Sequence, residues 1–411
     1  MFARRQFIRG IAATLAVCGS SSWAISRVQA QSLAAGAEGL PEGAVEAAVL
    51  HALPGKRPLI KRTFRPPNYE TPLDVFHQMF TPNDAFFVRY HLPTIPEVQA
   101  EQWQLTIGGE AVQQPLTLTL QDLKEGFEQV EVAAVCQCSG NRRGLFQPHV
   151  PGVQWGYGAM GNAVWRGARL KDVIQKAGLQ PEALEVVCDG ADYGVIAQTP
   201  DFVKSLPVWK ALEDTTLIAL EMNGAPLPHW NGYPARIVVP GWTATYWVKQ
   251  LTSINVIPKP FEGFWMKTAY RIPKGTFPMV DRFISQESGT NTPITEMVVN
   301  SLITNITSGQ RVKSGAAVDV KGIAWDGGYG IQRVAVSTDA GVTWHAATLG
   351  TDFGRFSWRQ WSYRFRTGQR GQQTLMAQAT NRVGATQTSA LLVNPAGYHH
   401  NVVQQISLNV T

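Results

Sequence analysis

Residues 130–143 read VEVAAVCQCSGNRR and carry the strongest chemical signal in the chain. The pattern predicts a strand from Val130 to Val135 that runs into Cys136. Cys138 then enters a glycine-containing turn, and two arginines follow. Positive charge nearby lowers the pKa of a thiol and favours the thiolate, which is the form that binds metals or attacks electrophiles. The alternative is that these cysteines are small, buried, apolar side chains beside surface arginines.

Strands and short helices alternate on both sides of this stretch, which indicates an α+β domain. From about residue 285, helical periodicity disappears and short β-rich runs recur about every ten residues, which predicts a β-sandwich. The predicted strands of the first part cover 86–91, 102–107, 130–135, 185–188, 216–221 and 236–239, and the predicted helices cover 119–125 and 170–177. The predicted segments are a signal peptide (1–30), an extended N-terminal extension (31–75), an α+β domain (76–284) and the β-sandwich domain (285–411).

The composition supports two well-packed domains and no nucleic-acid partner. The chain has 411 residues, of which 44% are hydrophobic and 16% charged. The net charge of +6 is misleading, because residues 1–30 contain four arginines and no acidic residue. The rest of the chain has 32 basic and 30 acidic residues, a balance too even for a nucleic-acid-binding surface.

The N-terminus has the pattern of an export signal. Arg4 and Arg5 precede an apolar run from Ile11 to Val17, and residues 28–30 form a small-residue cleavage site. Paired arginines before a modest apolar run resemble a twin-arginine signal, which predicts export of a folded protein to the periplasm. The alternative is an ordinary secretion signal. No run approaches the about 18 apolar residues of a membrane span, so we expect none.

Cysteine usage predicts no haem on this chain. Cys18 leaves with the signal, and Cys136, Cys138 and Cys188 remain. An odd number leaves at least one thiol free or bound to another group, and pairing of Cys136 with Cys188 is one possibility. The chain contains no Cys-x-x-Cys-His motif, which would attach a c-type haem.

Several long motifs, in order, are similar to the sulfite oxidase family. The segment CSGNRR at 138–143 resembles the family's molybdenum-cysteine segment, and FFVRYH at 86–91 resembles its upstream active-site strand. Further matching blocks are WGYGAM (155–160), VWRGARL (164–170), EMNGAPLP (221–228), GYPARIVVPG (232–241) and, for the second domain, RVAVSTDAGVTW (333–344). Such a series is far more specific than a single short motif. The resemblance implies a molybdopterin-binding domain followed by an immunoglobulin-like, dimerisation-type domain.

The resemblance also implies one molybdenum-molybdopterin per chain, with Cys138 as the thiolate ligand of the metal. A soft anionic sulfur suits such a metal. Cys136 is the one rival ligand, because it lies two residues earlier on an extended segment and would point the same way. A zinc site built from Cys136, Cys138, Cys188 and His91 lacks the usual ligand spacing.

By the same resemblance, the substrate pocket is basic. Arg89 and Arg143 match arginines that hold a small oxyanion, which suits the several donors of a guanidinium group. His91 matches a histidine near the cofactor, and Trp155 and Tyr270 match a pocket wall and a hydroxyl that faces the metal. For His91 and Tyr270, the alternatives are a satisfied core histidine and a tyrosine at the domain junction.

The residues matched to cofactor binding come from several parts of the chain. They are Phe87, Arg89, His91, Cys138, Asn231, Arg236, Trp247, Val248 and Lys249. Asn231 stands where animal members carry histidine. A polar pterin contact is expected between Asp189 and Gln198, without one residue singled out. Some relatives place a second-domain arginine in the pocket, but residues 394–398 read NPAGY and offer none.

The function that these matches imply is oxidation of sulfite to sulfate, with electrons passed to a c-type cytochrome that is a separate partner or a bound subunit. The chain before Phe86 is too short for the cytochrome-b5-like domain of animal sulfite oxidases, which is why a separate acceptor is expected. One alternative is a periplasmic reductase of protein methionine sulfoxide, although the second domain argues against it. A non-catalytic secreted binding protein is the other alternative.

Overall fold

The computed structural model describes residues 49–277 and 282–411. The predicted signal peptide therefore lies outside the described residues, as does the first part of the predicted extension. Among the helices of the described part, none is long and apolar enough to cross a membrane.

The N-terminal strands form a small sheet that holds the Arg89 strand. Its antiparallel order is β1 (Leu50–His51), β2 (Leu59–Thr63), β3 (Asn68–Glu70) and β4 (Val88–Arg89). The strand predicted over 86–91 is therefore wrong in length, because its partner β3 has three residues and pairs with Val88 and Arg89 alone. The neighbouring residues leave the ladder and line a cavity instead.

Two five-stranded sheets build the rest of the first domain. One has the order β10-β9-β14-β5-β6, and the other has β12-β11-β8-β7 with β13 paired to β11. The bounds are β5 (Gln104–Gly108), β6 (Leu116–Thr119), β7 (Gln129–Gln137), β8 (Met160–Arg169), β9 (Glu185–Gly190), β10 (Lys204–Pro207), β11 (Leu217–Met222), β12 (Ala225–Pro226), β13 (Arg236–Val238) and β14 (Leu251–Ile257). One large core of buried aliphatic and aromatic side chains fills the space around them. A two-stranded ribbon of β15 (Arg271–Pro273) and β16 (Asn291–Pro293) follows.

The helices are short and begin or end where the sequence predicts. Helix α1 (Leu120–Glu125) starts with a capping box, in which the Asp122 backbone N–H donates to the Thr119 hydroxyl and the Thr119 N–H donates to the Asp122 carboxylate. Helix α2 (Leu170–Lys176) stops before Gly178, whose positive φ of 74° suits glycine. The remaining helices are α3 (Val208–Ala211) and α4 (Phe264–Lys267).

The second domain is a sandwich of two sheets, as the strand spacing predicts. The sheets have the orders β17-β19-β23-β22 and β18-β25-β24-β20-β21 and share a separate core. The strands are β17 (Asn300–Ile303), β18 (Gln310–Val312), β19 (Ala317–Trp325), β20 (Ile331–Ser337), β21 (His345–Ala346), β22 (Thr348–Leu349), β23 (Arg359–Arg366), β24 (Gly371–Asn381) and β25 (Gln404–Val410).

The turn after Cys138 attaches the second domain to the first. Arg142, in the left-handed conformation with φ 69°, is 1% exposed and donates from Nη2 to the Ser301 carbonyl at 2.9 Å. Its guanidinium lies over the rings of Tyr157 and Trp325, at 5.0 and 5.8 Å. Burial lowers the pKa of Arg142 to about 10, so the side chain stays charged at neutral pH. The turn and the sandwich are therefore held in one arrangement.

Candidate active site

A cavity opens beside the end of β7. Residues from seven separate parts of the chain line it, and cysteine, arginine, lysine and aromatic side chains are among them. They include Phe86, Phe87, Arg89, Tyr90, His91, Cys136, Cys138, Ser139, Asp192, Phe202, Trp230, Asn231, Arg236, Ala244, Thr245, Trp247, Lys249 and Tyr270. Most residues that the sequence matches to a cofactor or substrate site therefore meet at one place.

Cys138 reaches this cavity from the end of a well-paired strand. Its N–H donates to the Ala159 carbonyl at 2.9 Å, and its carbonyl accepts from the Asn141 N–H at 2.9 Å, which begins the turn. The turn is tight, since a Cβ at Gly140 would lie 2.5 Å from Nη1 of Arg143. Cys136 lines the same cavity, as its spacing predicts, but burial raises the pKa of its thiol to about 11. Cys136 and Cys188 are both free, so the suggested disulfide between them is wrong.

Arg89 and His91 form one wall of the cavity. Arg89 donates from Nη1 to the Asn68 side-chain oxygen at 3.3 Å, and its carbonyl accepts from Nζ of Lys249 at 2.8 Å. His91 stacks on Phe202 with ring centroids 3.6 Å apart. Burial, together with the positive charges of Arg89 and Lys249, holds the pKa of His91 well below its usual value. The imidazole is therefore neutral at physiological pH.

Tyr270 faces His91 and is supported by the second domain. Its hydroxyl and Nε2 of His91 share a hydrogen bond, and burial raises the pKa of the phenol. On its other side, the Tyr398 ring stacks on the Tyr270 ring, with centroids 5.6 Å apart and planes 5° from parallel. Tyr398 belongs to the NPAGY segment (394–398), where some relatives carry a pocket arginine and this chain has none. The second domain thus contributes an aromatic side chain to the support of the site.

Arg143 lies behind this pair and is not among the residues that line the cavity. Its Nε donates to the Ala396 carbonyl at 3.0 Å, and its guanidinium lies 5.1 Å from the centroid of the Tyr398 ring. Arg143 therefore contacts the second domain directly, a placement that the match to a pocket arginine did not anticipate. Burial raises the pKa of Tyr270 overall, and the positive charge of Arg143 opposes that rise, as the charge of Arg89 does more strongly.

Trp155 and Val248 are buried beside the cavity and do not border it. Trp155 is 0% exposed, and its Nε1 has no hydrogen-bond partner in the described part of the chain. The Val248 carbonyl accepts from the Ile237 N–H at 2.9 Å, which fixes the backbone between Trp247 and Lys249. Both residues shape the wall through packing and backbone position.

Arg236 and its neighbours form the opposite end of the cavity. Arg236 donates from Nη1 to the Asn231 carbonyl at 2.9 Å and from Nη2 to the Trp247 carbonyl at 3.0 Å. Its guanidinium lies over the rings of Trp165 and Trp247. Lys249 packs on the Tyr90 ring, with Nζ 2.8 Å from the centroid. Asp192, which lies within the range Asp189–Gln198 where a polar pterin contact is expected, also lines this cavity.

The charges and free donors of this cavity fit an anionic cofactor. Two guanidinium groups, of Arg89 and Arg236, lie against the single carboxylate of Asp192. Burial and the charge of Arg236 hold the pKa of Lys249 well below its usual value, and a bound anion would favour the charged form of this lysine. Nε of Arg236 and Oγ1 of Thr245 are buried without a hydrogen-bond partner among the described residues. Buried polar atoms are normally satisfied, so these two atoms suit the phosphate or pterin of a bound molybdopterin. Among the described residues, no three His, Cys, Asp or Glu side chains are grouped to hold a metal ion.

Comparisons with known proteins match both domains. Residues 91–265 match the family model described as "Oxidoreductase molybdopterin binding domain", and residues 291–411 match "Mo-co oxidoreductase dimerisation domain". The sulfite oxidase of Arabidopsis thaliana is 33% identical over 318 residues, which cover 74% of this chain and 79% of that protein. The mitochondrial sulfite oxidase of Homo sapiens is 37% identical over 321 residues, which cover 75% of this chain and 57% of that protein.

A solved structure agrees with the fold. The sulfane dehydrogenase SoxCD from Paracoccus pantotrophus matches with a TM-score of 0.71 and 25% identity, over 84% of this chain and 87% of that chain. The chain spans little more than half the length of the animal sulfite oxidases that it matches. Together, the molybdopterin-binding domain, the dimerisation-type β-domain and the similarity to the plant enzyme over 79% of its length show that the chain belongs to the sulfite oxidase family of molybdopterin proteins.

Proposed function

We propose that this protein oxidises sulfite to sulfate in the periplasm, after twin-arginine export, and passes the electrons to a c-type cytochrome. The observation that carries the proposal is the cavity itself, because Cys138, Arg89, His91 and Tyr270 all line it. The similarity to sulfite oxidases of animals and plants supports the substrate. The paired arginines of the N-terminus support the compartment.

The residues present divide between the cofactor and the substrate. Cys138 would bind molybdenum through its thiolate, while Arg236, Asn231 and Lys249 would hold the phosphate and pterin. When bound, the cofactor supplies two-electron oxidation coupled to transfer of an oxygen atom. The overall reaction would convert sulfite and water to sulfate, two protons and two electrons.

Arg89 and Tyr270 perform the protein's part of the reaction. The Arg89 guanidinium attracts and orients the sulfite oxyanion, which loses part of its hydration on entering a buried site. Because burial raises the pKa of Tyr270, its hydroxyl stays protonated at neutral pH and can donate a hydrogen bond to a reacting oxygen. Neutral His91 shares a hydrogen bond with that hydroxyl, and in the tautomer that carries its proton at Nε2 it donates to the phenol oxygen, which leaves the hydroxyl proton for the reacting oxygen.

The proposal is tested with the holoprotein by supplying sulfite and following reduction of cytochrome c. We expect one sulfate for every two cytochromes reduced and little consumption of oxygen. A peptide that contains methionine sulfoxide, offered with a reduced dye, is expected to remain unchanged. Reduction of that peptide without oxidation of sulfite would overturn the proposal in favour of a sulfoxide reductase.

An exposed apolar surface beside the cavity suits the electron acceptor. Tyr193, Val195 and Ile196 are each more than 60% exposed, on the loop that follows the cavity residue Asp192. Exposed apolar patches of this kind commonly mark a docking site. The loop is tied to helix α4, where Phe264 is 42% exposed, since Nε1 of Trp265 donates to the Pro200 carbonyl at 3.3 Å.

The charges around this surface favour a cytochrome with a basic rim. Asp189, Asp192 and Asp201 repel one another, and this repulsion adds to burial in raising the pKa of Asp189 to about 7. Above these raised pKa values the carboxyl groups ionise, and their negative charge then complements the lysines that commonly surround an exposed haem edge. The apolar loop then lies against the haem edge itself.

The Val195→Lys/Ile196→Lys variant is expected to slow cytochrome c reduction about tenfold, since two cations replace apolar contacts and repel a basic partner. The rate with ferricyanide, a small acceptor that needs no docking surface, is expected to stay the same. Val342→Lys/Val383→Lys in the second domain is the matched control, because both valines are also exposed, by 81% and 59%, and neither lines the cavity. Equal losses with both acceptors, or in the control, would contradict the assignment.

A further inference from the structure

Lys56 is a buried cation that reaches the cofactor site from the N-terminal strap, which we define as residues 49–63. It is 7% exposed, and its Nζ donates to the Asn83 carbonyl at 2.5 Å, the Phe86 carbonyl at 3.1 Å and the Asn231 side-chain oxygen at 2.5 Å. Asn231 lines the cavity, as does Phe86. The strap thus touches the cavity wall through a charged side chain, although it lies before residues 91–265, which match the molybdopterin-binding model.

The hydrogen bonds of Lys56 match an ammonium group. Three N–H groups meet three oxygens, whereas a neutral amine would have two donors for the same three acceptors. None of these oxygens belongs to a carboxylate. Burial lowers the pKa of Lys56 to about 7, opposed by the charge of Asp84. Burying a cation without a direct counter-ion costs folding free energy, so an apolar side chain at this position would stabilise the fold more than Lys56 does.

Through Lys56, the orientation of the Asn231 amide is settled. Oδ1 accepts from Lys56, so Nδ2 is the atom that donates to the Phe87 carbonyl, at 3.1 Å. The Asn231 carbonyl in turn accepts from Nη1 of Arg236, at 2.9 Å. The chain of contacts therefore runs from the strap to Asn231 and then to the arginine whose Nε is free to bind a ligand.

The rest of the strap is anchored firmly enough to hold this lysine in place. Leu53 and Leu59 are buried in a cluster with Tyr69, Val88 and Tyr90, next to the Arg89 strand. Nε1 of Trp230 donates to the Pro54 carbonyl at 2.9 Å, so the strap also contacts the residue before Asn231. Strap and cavity wall are joined on both sides of Lys56.

We propose that Lys56 is a positioning residue for the molybdopterin site. It fixes Asn231, and with it the hydrogen bond from the Arg236 guanidinium to the Asn231 carbonyl, and it adds a positive charge behind the anionic cofactor. This inference rests on the cofactor and not on the proposed substrate. The strap holds this side of the cavity, because its displacement would remove the hydrogen bonds that fix Asn231 and the neighbouring Trp230.

The test uses retention of the cofactor by the holoprotein. Purified wild type, Lys56→Met, Asn231→Ala and the double variant are incubated in mild urea, and the half-time for loss of pterin is measured by fluorescence. Lys56→Met is expected to shorten the half-time about tenfold, a typical effect for a partner that orients a ligand-binding residue. Because both residues act through one contact, the double variant is expected to lose pterin no faster than the worse single variant.

Two further variants separate positioning from general stability. Lys61→Met, on the same strap, is the matched control, since no side-chain hydrogen bond of Lys61 is found in the described structure and we expect wild-type retention. Lys56→Gln keeps a donor for Asn231 and is expected to retain pterin better than Lys56→Met. This variant still tests the proposal if Lys56→Met folds poorly. Wild-type retention in Lys56→Met, full additivity with Asn231→Ala, or equal loss in Lys56→Gln and Lys56→Met would overturn the proposal.

Discussion

Cys138→Ser is expected to remove sulfite oxidation almost completely, by at least about a thousandfold in kcat. A serine hydroxyl stays protonated at neutral pH and is a harder ligand than a thiolate, so it cannot replace the soft anionic sulfur that we assign to molybdenum. The variant should still fold, because the exchange keeps the side-chain volume and the backbone hydrogen bonds to Ala159 and Asn141. The measurements are sulfite-dependent cytochrome c reduction and the molybdenum and pterin content per chain.

Cys136→Ser is the matched control for this variant. Both thiols line the cavity, but Cys136 lies within β7, opposite Gly161 of β8, whereas Cys138 begins the turn. We expect Cys136→Ser to keep its molybdenum and to lose no more than a fewfold in kcat. If Cys136→Ser were inactive and Cys138→Ser active, the ligand assignment would have to be exchanged.

The parts of the site that could be predicted are those carried by short local motifs. Cys138, Arg89 and His91 lie on a strand end or within a few residues of one, where side-chain alternation places neighbours on one face. Their motifs preserve residue type and spacing together. The sandwich of the second domain was predictable for a similar reason, since alternation and turn residues recur at regular intervals.

The parts that sequence reasoning missed depend on contacts between distant segments. Tyr398 stacks on Tyr270 across 128 positions of sequence, and Lys56 bonds to Asn231 across 175. Neither residue belongs to a motif, and a tyrosine or lysine alone predicts a surface position more readily than a site. The contact of Arg143 with the second domain could not be predicted, because a motif identifies the residue type but not the direction in which its side chain leaves a tight turn.

Replacing Arg89 is expected to have the second-largest effect. Arg89→Gln should lower kcat/KM for sulfite by about 10²–10³-fold, the usual loss when a charged donor to a reacting oxyanion is removed. Its guanidinium lies in the cavity wall beside His91 and Tyr270 and is the one arginine there with no aromatic ring stacked against it. Arg89→Lys keeps the charge but not the planar fork of donors, and it is expected to recover only part of the loss.

The measurement must separate binding of sulfite from binding of the cofactor, since Arg89 is matched to both. Kinetics are therefore normalised to the pterin content of each preparation, and we expect KM to rise more than kcat falls because the anion is bound before it reacts. Arg57→Gln is the matched control: this arginine lies on the strap, is half-exposed, and pairs with Asp84 at 2.8 Å. An unchanged kcat/KM in Arg89→Gln at full pterin content would show that another cation receives the substrate. Lys249 would then be the strongest candidate, because its ammonium also lines the cavity and already contacts the Arg89 carbonyl.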